Sequence, residues 1–82
     1  FRASPNPFSR ETRIVFRSAI TQRVRLAVYD MNGRLVELLA DGTLGSGYHE
    51  FTWMPENREE GFYLLRLETP GSVMVRKIVK TR

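Results

Sequence analysis

Side chains alternate between inward-type and outward-type along most of this chain, and a period of two is the signature of a strand with one face turned to a core. Thr12, Ile14 and Phe16 alternate with Arg13, Val15 and Arg17. Val24, Leu26 and Val28 face one way while Arg23, Arg25, Ala27 and Tyr29 face the other. His49, Phe51 and Trp53 alternate with Tyr48, Glu50 and Thr52 until Pro55 ends the run. Tyr63, Leu65 and Leu67 alternate with Phe62, Leu64 and Arg66, apolar enough for a central strand, and Val73 to Val79 supplies the last. One segment is ambiguous, because Leu35, Val36, Leu38 and Leu39 also fit one face of a helix. Its shortness, the turn before it and the stop at Asp41 and Gly42 favour a strand from Arg34 to Leu39.

Turn chemistry separates these runs. Asp30 to Gly33 offers Asn32 and Gly33 for positive φ, and Gly42, Gly45, Ser46 and Gly47 form a glycine-rich connection. Pro55 to Glu60 is polar, and Thr69 to Ser72 turns the chain once more. Short strands at regular spacing predict an all-β fold, a small antiparallel β-sandwich of about seven strands in one domain over residues 1–82.

Composition narrows what such a domain can do. A chain of 82 residues buries roughly 60 to 65% of its unfolded surface, so the core is thin. There is no cysteine and one histidine, which removes disulfides, thiolate zinc sites and a cysteine nucleophile, and leaves His49 without a metal partner. Paired carboxylates, a catalytic triad and a phosphate loop are not visible, so the expectation is a non-enzyme with no cofactor. The net charge of +4 invites nucleic acid, but the basic residues run from Arg2 to Arg82 among nine acids, and no recognition motif accompanies them. No apolar stretch reaches the roughly 20 residues of a spanning helix, so no membrane insertion is expected. The first residue is Phe1, consistent with a piece of a longer chain whose export signal lies upstream.

Particular residues carry a family likeness. Ser4 to Phe8, the stretch VRLAVYDMNG from Val24 to Gly33, the set Gly47, His49 and Trp53, and GFYLLRL from Gly61 to Leu67 follow one another in order. Together they resemble the carboxy-terminal sorting domain (type A) of proteins exported by the bacterial type IX pathway, itself related to the immunoglobulin-like domain of flagellar hook-capping proteins. The short link from Trp53 to Gly61 and the ending Arg76 to Lys80, basic then apolar, apolar and basic, resemble the sorting version more closely. Family members often carry a proline or small residues before the glycine at Gly61, where this chain has Arg58, Glu59 and Glu60.

The resemblance implies an immunoglobulin-like sandwich that serves as a sorting signal for a cargo domain N-terminal on the same chain. It also implies partners in the type IX machinery, and export through the periplasm to the cell surface or exterior. The segment a translocon component would read is Arg76, Lys77, Ile78, Val79 and Lys80, since a strand with accessible backbone and end charges suits that task. Pro5, Asn6, Pro7 and Phe8 form a rigid lead-in, with residues 1–8 as its linker, because proline fixes φ and restrains the residue before it.

Two further readings come from the residues alone. Arg13, Arg17, Arg23 and Arg25 all face outward, and if their strands are neighbours they form a stripe able to bind an anionic polysaccharide or lipopolysaccharide. The plainer account is a solvated face that discourages edge pairing. Trp53 is either core or, if exposed, a sugar-stacking platform. These features support an alternative function, a retained binding or spacer module of a secreted enzyme.

Overall fold

In the computed structural model, which describes residues 1–82, every alternating segment is a strand. The strands are β1 (Arg2–Ser4), β2 (Thr12–Ser18), β3 (Gln22–Asp30), β4 (Leu35–Leu44), β5 (Gly47–Trp53), β6 (Gly61–Thr69) and β7 (Ser72–Lys80). They pair antiparallel into two sheets, ordered β1-β2-β5 and β4-β3-β6-β7. Period two forces this outcome: each strand can hide only one face, and two such faces satisfy each other. Ile14, Phe16 and Trp53 from the smaller sheet meet Val24, Leu26, Val28, Tyr63, Leu65, Leu67 and Ile78 from the larger, with Phe8 completing the cluster. The fold is the all-β, immunoglobulin-like sandwich expected. β6 is central, as its apolar character requires.

The ambiguous segment is strand, but it does not stop at Asp41 and Gly42. β4 runs on to Leu44, pairing Asp41 with Arg25 and Gly42 with Val24. Bulges between Leu26 and Ala27 and between Val28 and Tyr29 keep β4 alongside the long β3, and Arg23 Nη2 meets Asp41 Oδ1 at 3.0 Å. The glycine-rich connection therefore shrinks to Gly45 and Ser46. In the preceding hairpin only Gly33 takes positive φ, at 83°. Asp30 Oδ1 accepts from the backbone N–H of both Asn32 and Arg34, which closes the turn without a positive φ at Asn32.

Residues 1–8 are also part of the sandwich. Arg2, Ala3 and Ser4 pair with Val15, Ile14 and Arg13 as β1, a strand too short to show a period in sequence. Beyond it the Ser4–Pro5 and Asn6–Pro7 peptide bonds are cis.

Candidate functional site

The two ends of the chain meet at one edge of the larger sheet. After β1 the chain leaves the smaller sheet and docks on β7, whose outer edge is otherwise free. Prolines carry no N–H, so Pro5 and Pro7 cannot bond a strand edge as donors. Asn6 between them does so with its side chain. Its Nδ2 donates to the Lys77 carbonyl at 3.1 Å, and its Oδ1 accepts from the Val79 N–H at 2.9 Å, as a peptide group of a neighbouring strand would. Phe8 then continues with its backbone. Its N–H donates to the Val79 carbonyl at 2.9 Å, and its carbonyl accepts from the Thr81 N–H at 2.8 Å, in a parallel bridge at Lys80.

Three anchors hold this clasp. Thr12, fully buried, donates from Oγ1 to the Pro5 carbonyl at 2.8 Å. The Phe8 ring lies 5.5 Å from Trp53, which in turn meets Tyr63 edge-on at 5.2 Å. Tyr63 donates its hydroxyl to the Glu59 carbonyl at 2.6 Å, the tyrosine corner of immunoglobulin-like folds. That bond pins the turn formed by Arg58, Glu59 and Glu60. Alternation assigns Tyr63 and Thr12 to the core but not to the role of polar anchors, whose signal is that a tyrosine or threonine on an inward phase must find a partner for its hydroxyl.

The expected recognition segment divides into two kinds of residue. Ile78 is fully buried and Val79 is half-buried, its backbone held by Asn6 and Phe8. Arg76 and Lys77 are exposed, the first with its guanidinium 5.2 Å from the Phe1 ring centre and the second with Nζ 4.8 Å from that of Phe62. β7 contains no acid, and none of Arg76, Lys77 and Lys80 forms a salt bridge. The clasp is therefore a basic strand edge fastened to the lead-in.

The arginine stripe does not form. β2 and β3 follow each other in sequence but lie in different sheets, because their apolar faces meet across the core. Arg13 and Arg17 thus occupy one outer surface, and Arg23 and Arg25 the opposite one. Three of the four are also partnered. Arg13 Nε sits 3.3 Å from Glu50 Oε2, Arg23 meets Asp41, and Arg25 lies 4.0 Å from Glu68 while donating to the Tyr29 hydroxyl. That hydrogen bond, aided by Glu68 and Asp41 and opposed by desolvation, raises the Arg25 pKa above its ordinary value. Trp53 is 2% exposed, so it is core and offers no platform. His49 is half-buried at the rim, its ring 5.4 Å from that of Phe16 and its Nε2 2.6 Å from the Gly45 carbonyl.

Over residues 3–81 the chain matches the family described as secretion system C-terminal sorting domain. The chain belongs to that family. No curated protein and no solved structure is significantly similar to it. The family is one of sorting signals rather than catalysts, and it is the type IX family that the sequence resembles. Both halves of the clasp, Asn6 to Phe8 and Lys77 to Thr81, lie within the matched part of the sorting domain.

Proposed function

We propose that this sorting domain directs a larger protein on the same chain through the type IX machinery, by way of the periplasm, to the cell surface or exterior. The surface the machinery reads is the clasp: Arg76, Lys77 and Lys80 displayed on a strand that Pro5 to Phe8 hold in place. The observation that supports this is the docking of Asn6 and Phe8 on β7. It fixes the backbone of the terminal strand and leaves that strand's cations free of carboxylates. Ile78 and Val79 serve the signal indirectly, by seating the strand.

The test is a fusion. A periplasmic reporter joined ahead of the 82 residues should reach the exterior of a cell that has the machinery. The same fusion with Arg76→Glu, Lys77→Glu and Lys80→Glu should stay in the periplasm. None of these side chains is fully buried and none is ion-paired, so the variant keeps its fold. Normal delivery of the triple variant contradicts the proposal. The spacer-module alternative draws no support from the buried Trp53 or the divided arginines.

A further inference from the structure

The clasp covers only part of the β7 edge. In an antiparallel ladder, residues of one parity turn their backbone groups to the partner and the other parity turns them away. Val79 and Thr81 turn theirs outward to Phe8 and Asn6, and so does the Lys77 carbonyl. The same parity turns outward the N–H of Lys77 and both backbone groups of Val75 and Val73. No strand pairs there, and no backbone group outside the strands bonds to them. The Val75 carbonyl is met only by the guanidinium of the adjacent Arg76, at 3.1 Å. β1, which could have continued the lead-in along this edge, pairs with β2 instead.

We propose that the open half of the edge, Val73 to Lys77, accepts an extended segment of an acceptor protein as an added strand, one that alternates apolar and acidic side chains. The inference deepens the sorting role and rests on it. The backbone supplies unpaired donors and acceptors, the usual basis of strand addition. Side chains set the occupant. Val73 and Val75 are 55% and 47% exposed on the outer face, beside a groove also lined by Tyr29, Leu64 and Arg66. They would sit next to apolar residues of the incoming strand. Arg76 projects to the other face, and with Lys77 it gives the edge a positive charge that no acid of β7 offsets. A second copy of this chain would bring Arg76 and Lys77 against their own kind, which disfavours self-pairing.

A blocked synthetic peptide of alternating valine and glutamate tests this, titrated into the domain while amide hydrogen exchange is followed. At about ten times its Kd the peptide should slow exchange at Val73, Val75 and Lys77 by about ten-fold. A valine and lysine peptide should not, nor should the valine and glutamate peptide when N-methylated at alternate residues on its bonding side. Val75→Pro removes one outward N–H at an edge that tolerates proline, and it should abolish the effect. The inference is overturned by any of four results: no protection with the glutamate peptide, equal protection with the lysine peptide, equal protection after N-methylation, or protection that grows with protein concentration alone. Absent protection while delivery still depends on Arg76, Lys77 and Lys80 removes the added strand and leaves the sorting role. Peptide binding together with normal delivery of Val75→Pro cargo overturns the assignment of this edge to sorting.

Discussion

Asn6 shows how much one side chain can do when its neighbours cannot donate. It replaces a stretch of strand with one amide, satisfying Lys77 and Val79 across 71 and 73 positions of sequence. Asn6→Ala should therefore cost about 1 kcal/mol, the net worth of ordinary hydrogen bonds at an exposed edge. Urea unfolding should report the loss, and amide exchange at Val79 should speed while that at Leu65 changes only with global stability. Unchanged exchange at Val79 would mean that the amide is not holding the strand. The importance of Pro5 to Phe8 was legible from the resemblance, and the stiffness of its prolines from their chemistry. The partner was not, because nothing local to Asn6 encodes a carbonyl at Lys77. Tyr63 is a parallel case: its inward phase was plain, but its hydroxyl's target at Glu59 depends on how the turn closes.

At the scale of elements, alternation located β2, β3, β5 and β6, since burial of one face is a property of the segment itself, whereas β4 was told from a helix only by its shortness and the turns beside it. Ends were harder. Asp41 and Gly42 look like a stop, yet they continue β4 because the long β3 lies beside them and supplies Arg23 for the aspartate. β1 has too few residues to display a period at all. β7 shows the division of labour most clearly, with Ile78 buried and Lys77 exposed as neighbours in the chain. Ile78→Ala should cost about 2 to 5 kcal/mol through lost burial and the cavity left behind. Lys77→Ala should stay within about 0.5 kcal/mol, as surface changes usually do. Chemical denaturation of the two variants distinguishes the roles, and equal costs would contradict the burial assigned to each.

For the whole molecule, a strand's sequence states which of its faces is apolar but not which sheet it joins. That is why Arg13, Arg17, Arg23 and Arg25 suggested one stripe and the structure divides them between opposite surfaces. It is also why the lead-in and the terminal strand, both singled out by resemblance, could be found separately without their union being seen. Their union makes the first and last segments of the domain one surface, present only when the sandwich is closed. On the proposed reading, the sorting signal is a folded feature rather than a linear tag.

A comparison of two variants with matched stability tests that claim most directly. Asn6→Ala opens the clasp at about 1 kcal/mol, and Ile14→Val trims the core of β2 without removing any hydrogen bond of the clasp, for about the same cost. Each is fused behind the same reporter, and the fraction delivered outside the cell is measured. The account predicts that Asn6→Ala loses delivery while Ile14→Val keeps it. Equal delivery of the two, or equal loss, would show that the machinery does not read the joined surface and would contradict the account.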